Sequence, residues 1–543
     1  MKVIINIFIL MSFTIGLRAE NGHKLWLRAR STAPVKVVCS GNSATLDIAK
    51  EELHHCWQGK PNAVVILKVV HDQAIKGDGF KLSVNGVQAN TDLGILYGVY
   101  TLLRDQQTGD PISNRVNNPS YERRILDHWD NLNGTIERGY AGRSIFWHGE
   151  DSLAVTENDK LLWQEYARAD ASIGINGAVL NNVNASPLVL KPEYLKRVQA
   201  IADVLRPYGI RVYLSANFAS PSLIGGLPTS DPLNPQVKEW WVAKVKEIYQ
   251  MIPDFGGFLV KANSEGQPGP LTYGRTYADG ANTIADALEP YGGIVMWRTF
   301  VYFNNGEDRA KQAYEAFKPL DGKFHDNVIL QVKNGPIDFQ PREPFSPLFG
   351  AMKKTSLMPE VEITQEYLGQ AIHLVFLGTM WEEFLKSDTY QAGANSSVAR
   401  CTDGSIFHQK YTAIAGVSNI GLDTNWCGHP FAQANWYAFG RLAWNNRLTS
   451  NQIADEWIKL TFYQTPPTQV GPPVFSFPWK DFFLKPVKRM MLESREAAVN
   501  YMTPLGLNDL FSAKGHYGPG PWWAPKGVRA DWTPPYFHRA DSV

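Results

Sequence analysis

Hydrophobic and polar positions divide the chain into regions with different patterns. From about residue 20 to 120 the pattern is mixed α/β. Residues 63–70 form an apolar run that predicts a buried strand, and residues 79–85 alternate as a half-exposed strand does. Residues 93–104 predict a helix, because their apolar side chains recur along one stripe. A stretch rich in Pro and Asn, residues 111–119, predicts the end of this α/β accessory domain.

Residues 121–450 show short apolar strands that alternate with amphipathic helices. Eight segments predict strands: 124–129, 177–182, 210–215, 257–261, 293–298, 327–333, 361–365 and 416–421. Between them, apolar residues recur at helical spacing, as in the segment that begins at Pro192. This alternation predicts a (β/α)8 TIM barrel. A doubly wound sheet would also alternate, but it usually has a Gly-rich phosphate loop after its first strand, and this sequence has none.

Residues 451–543 predict a third, mostly helical region, with helices at 451–462 and 488–502. Aromatic loops follow from residue 518, and no helix closes the region before Val543. We therefore expect a shortened C-terminal region.

The N-terminus predicts the destination of the protein. Met1 and Lys2 precede a mostly apolar run from Val3 to Leu17. This pattern is typical of a secretory signal peptide, here residues 1–19, and predicts an exported protein, either periplasmic or secreted. The run is short for a membrane span, and no later segment is long and apolar enough, so we expect none.

Composition narrows the function. Lys and Arg number 53 and Asp and Glu 52, giving a net charge of +1, which argues against nucleic acid as a partner. The 17 Trp residues fit a large core and also stacking against sugar rings. The four cysteines lack metal-ligand spacing, so free thiols are expected, with a Cys39–Cys56 disulfide as the alternative.

Candidate chemistry lies at the strand ends, because a barrel carries its reactive groups there. The fourth predicted strand is followed by Lys261, Asn263 and Glu265, which share one face if the strand stays extended. The fifth ends at Arg298, a typical position for the ion-pair partner of a barrel carboxylate. The sixth ends at Lys333. These strand ends therefore place three cations near one mouth.

Asp338 follows the sixth strand, and Glu362 and Glu366 lie at the end of the seventh, an even number of residues apart. Carboxylates on different strands suit glycosidic cleavage, in which one acid protonates the leaving oxygen and another draws a proton from water. The cations could hold an anionic group of the substrate, such as a uronate carboxylate. The chain has no HExxH, HxH or GxSxG motif, so we expect neither a metal site nor a Ser–His triad, and no cofactor.

At these residues the chain resembles the bacterial α-glucuronidases of glycoside hydrolase family sixty-seven, from about residue 60 to the end. Similar segments lie at 128–131, 138–144, 175–184, 260–270, 333–343, 362–367 and 431–437. Residues 89–98 resemble the accessory α/β domain that this family shares with some hexosaminidases.

The resemblance implies an inverting, exo-acting enzyme with Glu265 as general acid and with Asp338 and Glu366 as the carboxylates that activate water. Its substrate would be glucuronic acid or its 4-O-methyl ether, α-1,2-linked to the terminal xylose of a xylooligosaccharide derived from glucuronoxylan.

The resemblance also assigns binding residues. It implies that Lys261, Arg298 and Lys333 bind the uronate carboxylate and that Trp129 and Val183 line the pocket around the sugar. It further implies a homodimer. In the family the C-terminal region contributes to the dimer contact, and the region expected here is shorter.

Two other functions compete with this interpretation. A retaining, substrate-assisted enzyme of the hexosaminidase type would need an adjacent Asp-Glu pair after the fourth strand, where this chain has Ser264-Glu265. A carbohydrate-binding protein built on an inactive barrel would not need the full set of acids and bases.

Overall fold

Two sheets organise the chain. The structure is a computed structural model that describes residues 21–149, 152–301, 308–368, 373–462, 480–502, 520, 522–528, 530 and 533–537. The predicted signal peptide therefore lies outside the described residues. The predicted domain boundaries at 20–120, 121–450 and 451–543 remain predictions.

The N-terminal sheet has five strands in the order β1-β2-β4-β3-β5. They are β1 (Val35–Ser40), β2 (Ala63–Val69), β3 (Phe80–Ser83), β4 (Gly86–Ala89) and β5 (Arg115–Asn117). The pairs β1–β2 and β2–β4 are parallel, and β3 runs antiparallel to β4 and β5.

Two helices pack against this sheet and share a separate core with it, Ala44–Cys56 and Asp92–Thr108. Ser43 and Thr91 cap them, each accepting a backbone N–H of the first turn. The predicted strands at 63–70 and 79–85 and the predicted helix at 93–104 are thus confirmed. The strand β1 and the helix Ala44–Cys56 were not predicted from the sequence.

Eight parallel strands close into the predicted barrel. They are β6 (Arg123–Asp127), β7 (Gly177–Val179), β8 (Arg211–Ser215), β9 (Gly257–Val260), β10 (Ile294–Arg298), β11 (Val328–Lys333), β12 (Ser356–Glu362) and β13 (Ala413–Val417). Consecutive strands pair in parallel, and β13 pairs with β6 to complete the ring. The (β/α)8 prediction is confirmed.

The last two barrel strands begin earlier than predicted. Strand β12 starts at Ser356, where the pattern predicted 361, and β13 starts at Ala413, where it predicted 416. Pro359 and the charged Glu360 interrupt the apolar run, so the pattern did not predict the first part of β12, although both residues belong to the strand. Glu360 can be buried there because it pairs with an arginine on β10. Glu362 therefore ends the strand, and Glu366 belongs to the loop that follows.

Helices surround the barrel and continue beyond it. The longer helices after β6 are Glu157–Ile173, Pro192–Leu205, Pro235–Met251, Tyr277–Leu288, Arg309–Phe317, Gly378–Lys386, Gln433–Trp444, Ser450–Phe462 and Lys485–Met502. Shorter helical turns lie at Pro187–Leu190, Arg206–Tyr208, Ser220–Leu223, Pro270–Tyr273, Glu289–Tyr291, Lys318–Leu320, Val398–Thr402, Pro430–Ala432, Lys480–Leu484 and Pro534–Phe537. The helices predicted at 451–462 and 488–502 are confirmed.

Apolar side chains fill the barrel beneath its mouth. Ile125, Tyr213, Leu259, Met296 and Ile329 belong to one buried cluster inside the ring of strands. The interior is therefore packed, and the polar residues at the carboxyl ends of the strands form a floor that faces the mouth.

Two smaller expectations can be compared with the structure. All four cysteines are free thiols, so the alternative of a Cys39–Cys56 disulfide is wrong. No helix in the described part of the chain is long and apolar enough to span a bilayer.

Candidate active site

Lys261 and Glu265 meet just after β9, although the chain between them is not extended. The strand ends at Val260, and Asn263 and Glu265 have φ of 51° and 48°, in the left-handed region. The expectation that Lys261, Asn263 and Glu265 share a strand face is therefore wrong.

The turn nevertheless brings Lys261 Nζ within 2.6 Å of Glu265 Oε2. The same ammonium donates to Asn184 Oδ1 at 2.8 Å. The Asn263 amide faces its own loop, where Oδ1 accepts the backbone N–H of Leu271 at 3.0 Å. Asn263 thus shapes the loop that presents Glu265.

Arg298 is held by a carboxylate from β12. Its Nε donates to Glu360 Oε1 and Oε2 at 2.9 and 3.0 Å, and the two side chains are 2% and 0% exposed. Arg298 Nη2 is also buried and has no hydrogen-bond partner among the described residues. One end of the guanidinium is therefore anchored, and the other keeps a donor for another group.

Asp127, at the end of β6, lies beside this ion pair. Burial, and next the charge of Glu360, raise the pKa of Asp127 to about 8, although Arg298 lowers it. Its Oδ2 accepts from the Gln331 amide at 3.2 Å. At neutral pH Asp127 is therefore largely protonated, which leaves Glu360 as the counter-charge of Arg298.

Lys333, the last residue of β11, forms an ion pair with Asp338 in the loop that follows. The hydroxyl of Tyr367 donates to the other oxygen, Asp338 Oδ2, at 2.5 Å. Each oxygen of Asp338 thus has its own donor, one at the end of β11 and one in the loop after β12.

Glu343 fixes the shape of the Asp338 loop. Its carboxylate accepts the backbone N–H groups of Ile337, Asp338 and Gln340 at 2.7, 2.9 and 2.8 Å. Burial raises the pKa of Glu343 to about 7, against the effect of these three donors. One side chain therefore satisfies three amides of a loop that carries a candidate catalytic carboxylate.

Glu366 lies in the loop after β12, where Arg138 Nε contacts its Oε1 at 2.8 Å. Burial, and next the charge of Glu366, raise the pKa of Glu362 well above its usual range. Glu366 thus lies between a guanidinium and a second acid.

Phe300 brings the three cations together. The charged groups of Lys333, Lys261 and Arg298 lie 3.5, 4.9 and 5.3 Å from the centroid of its ring. Burial lowers the pKa of Lys261, the charges of Arg298 and Lys333 lower it further, and Glu265 raises it. The three positive charges therefore lie close enough around one aromatic ring to interact electrostatically.

Trp129 and Val183 belong to the packed apolar interior beneath the mouth. Both are buried in the cluster that fills the barrel. The Trp129 ring lies 5.2 Å from the Arg298 guanidinium, so it belongs to the same site as the cations. The structure therefore brings Lys261, Arg298, Lys333, Glu265 and Asp338 together at one mouth with Trp129, Val183 and Glu366.

Metal ligation has no support in the described residues, where no three His, Cys, Asp or Glu side chains are arranged to hold a metal ion. The arrangement instead offers acids for proton transfer beside cations for anion binding.

The comparisons with known proteins identify the family. The model of the glycosyl hydrolase family 67 middle domain matches residues 104–426, and that of the family 67 C-terminus matches residues 427–543. The chain belongs to glycosyl hydrolase family 67. The expected family is thereby confirmed, although the relatives below are fungal and the resemblance was to bacterial members.

Two curated relatives of this family 67 chain are named for one activity. It is 43% identical over 476 residues to "Alpha-glucuronidase A" of Emericella nidulans, covering 84% of this chain and 54% of that protein. It is 41% identical over 523 residues to "Alpha-glucuronidase" of Hypocrea jecorina, covering 92% of this chain and 59% of that protein. The chain therefore spans little more than half the length of these relatives.

A solved structure shares the fold of this family 67 chain. It is a "GH138 enzyme targeting pectin rhamnogalacturonan II", with a TM-score of 0.54 and 16% identity, covering 90% of this chain and 60% of that one. This likeness shows the fold alone.

Several site residues of the family 67 chain were not predicted from the sequence. They are Arg138, Phe300, Glu343, Glu360 and Tyr367. Arg138, Glu343 and Tyr367 carried a signal, since each lies at one end of a segment that resembles the family. Phe300 is an ordinary aromatic in a loop and Glu360 is an acid inside a strand, and only their contacts distinguish them.

The raised pKa of Asp127 predicts a pH-dependent stability. A free Asp ionises near pH 4, whereas folded Asp127 keeps its proton to about pH 8. Over that interval the wild type should lose up to about 1.4 kcal/mol of unfolding free energy per pH unit through this group, because only the unfolded chain releases the proton.

Asp127→Asn keeps the shape of the protonated acid and does not titrate. Its unfolding free energy, measured in urea at about pH 5 and about pH 7, should therefore rise relative to that of the wild type as the pH rises. A difference that stays constant between the two pH values would show that Asp127 is ionised in the folded protein.

Proposed function

We propose that this family 67 chain is an α-glucuronidase. It releases glucuronic acid, or its 4-O-methyl ether, from the α-1,2 linkage to the terminal xylose of xylooligosaccharides, with inversion. The observation that carries the proposal is the group of three cations around Phe300, beside three candidate catalytic carboxylates. Relatives named as α-glucuronidases support it.

A uronate explains the cations better than a neutral sugar does. Each of the three cations has a carboxylate partner in the site. Arg298 differs in that its Nη2 is a buried donor without a partner among the described residues. A buried, unsatisfied donor on a charged group is costly unless a ligand completes it. A substrate carboxylate would complete it and would relieve the mutual repulsion of the cations.

The exposure of the carboxylates suggests how the substrate lies. The side chain of Glu265 is 43% exposed, whereas those of Asp338 and Glu366 are 21% and 5% exposed. Glu265 is therefore near the solvent, where the leaving xylose chain would extend, and it would protonate the glycosidic oxygen. Asp338 and Glu366 lie deeper and would draw the proton from the attacking water.

Two further properties belong to the proposal. Residues 1–19 would direct export, so that the enzyme meets fragments of glucuronoxylan outside the cytoplasm. A homodimer is also proposed, from the resemblance to the family alone.

The stereochemistry of the product tests the reaction. Aldouronic acids incubated with the enzyme should give free glucuronic acid first seen by NMR as the β-anomer, because direct attack of water on an α-linkage inverts the anomeric carbon. Initial appearance of the α-anomer would exclude inversion. Absence of any released uronate would exclude the proposed activity.

The role of Glu265 can be tested with the leaving group. Glu265→Gln should lose about 100- to 10,000-fold in kcat on aldouronic acids, because a positioned general acid contributes about that factor. On an aryl glucuronide with an activated phenol, which needs little protonation, the loss should be roughly tenfold or less. Equal losses of kcat on both substrates would remove Glu265 from the role of acid.

The uronate site predicts a selective inhibitor. Glucuronate should inhibit competitively and glucose should not, since the neutral sugar lacks the anion that the cations bind. Lys261→Met should weaken inhibition by glucuronate at least about tenfold, the usual size of a charge-assisted hydrogen bond.

Lys244→Met provides the matched control, because Lys244 is also largely buried and paired with a Glu, on the helix Pro235–Met251. It should leave the inhibition constant unchanged. Equal inhibition of the wild type by glucose and glucuronate would refute the uronate site.

A further inference from the structure

Asn184 is a polar residue of the mouth to which the reaction described so far gives no role. It lies in the loop after β7 and is half-buried. Its Oδ1 accepts a hydrogen bond from Lys261 Nζ at 2.8 Å, and its Nδ2 donates to Glu137 Oε2 at 3.1 Å. One amide therefore joins a cation of the uronate site to a carboxylate of the loop after β6.

The neighbours of this amide leave it one orientation. An ammonium group only donates hydrogen bonds, so the amide oxygen must face Lys261. The amide nitrogen then faces Glu137, whose Oε2 accepts its N–H. The position thus requires a side chain with an acceptor and a donor at its end, which asparagine supplies.

Glu137 is itself tied to the loops around it. Its Oε2 also accepts from Asn182 Nδ2 at 2.8 Å, and its backbone N–H donates to the carbonyl of Trp129 at 2.9 Å. Asn182 Oδ1 accepts the backbone N–H of Asn184 at 2.9 Å. The amide of Asn184 is therefore held both through its own backbone and through its partner Glu137.

The Lys261 ammonium ends a flexible four-carbon stem and has three N–H donors. One donates to Glu265 Oε2 at 2.6 Å, one donates to Asn184 Oδ1, and the third has no oxygen acceptor among the described residues. A bond to Glu265 alone would let Nζ move around a side chain that is 43% exposed. Two bonds from two different loops fix Nζ and leave one donor for a ligand.

We propose that Asn184 is a positioning residue of the uronate site, whose amide holds the Lys261 ammonium where its third N–H can bind the substrate carboxylate. The assignment rests on the proposed function for the identity of the ligand. Glu137 keeps the amide in the required orientation. Asn184 acts on the ligand only through Lys261, so its effect should depend on the presence of that lysine.

A double-mutant cycle tests this dependence. Asn184→Leu keeps about the size of the side chain but can form neither hydrogen bond. The dissociation constant of glucuronate, measured by calorimetry, should rise about three- to tenfold, because Lys261 is no longer held in place. In the Lys261→Met background the same substitution should change the dissociation constant by less than about twofold. Equal increases in the two backgrounds, or no increase in either, would overturn the proposal.

Asn282→Leu is the matched control. Asn282 is half-buried on the helix Tyr277–Leu288, and its amide also bridges two groups, donating to the carbonyl of Lys323 and accepting the backbone N–H of His325, both at 2.9 Å. These partners precede β11, at the end of the barrel opposite the mouth. The control should lower stability and leave the dissociation constant of glucuronate unchanged. Equal weakening of binding by both substitutions would mean that lost stability alone explains the effect of Asn184→Leu.

The hydrogen bond between Asn184 and Lys261 can be tested without a ligand. In urea unfolding, the double variant should lose less stability than the sum of the two single losses, because both single variants break the same bond. Additive losses would overturn the proposal. A wild type that does not bind glucuronate would defeat the uronate site of the proposed function, and the urea cycle would still decide whether Asn184 holds Lys261.

Discussion

Arg298 and Glu360 come from strands separated by β11, and the pairing of these two buried charges sets the arrangement of the mouth. Each is nearly or fully inaccessible to solvent. Removing one member of such a pair typically costs about 3–5 kcal/mol, because the other charge is left buried alone. The pair fixes one end of the Arg298 guanidinium. Burial, and next the charge of Glu360, raise the pKa of Asp127 beside it.

The loops above the strands depend on a different constraint, which is that their backbone N–H groups need hydrogen-bond acceptors. The loop after β9 turns through left-handed residues and is tied by the Asn263 amide. The loop after β11 is gathered around the carboxylate of Glu343. In both loops a side chain without a proposed chemical role determines where a proposed catalytic carboxylate lies.

Hydrophobic periodicity was sufficient to predict the barrel, because each strand and each helix buries a contiguous apolar face. It failed at β12, where Pro359 and Glu360 interrupt the apolar run and only the long-range pairing with Arg298 compensates. The set of charged site residues followed from their positions at strand ends. Their partners did not, since the contacts of Phe300 with Lys261 and Lys333, or of Arg138 with Glu366, join residues far apart in sequence.

The aromatic ring among the cations has a consequence for how the mouth can be both stable and receptive. A carboxylate at the position of Phe300 would neutralise Lys261, Lys333 and Arg298, but it would occupy the place of an anionic ligand. The face of a benzene ring carries only a partial negative charge and cannot accept a strong hydrogen bond. Phe300 therefore acts as a weak internal counter-ion, which moderates the repulsion among the three groups beside their carboxylate partners, and it does not compete for the Arg298 Nη2 donor, which has no partner among the described residues.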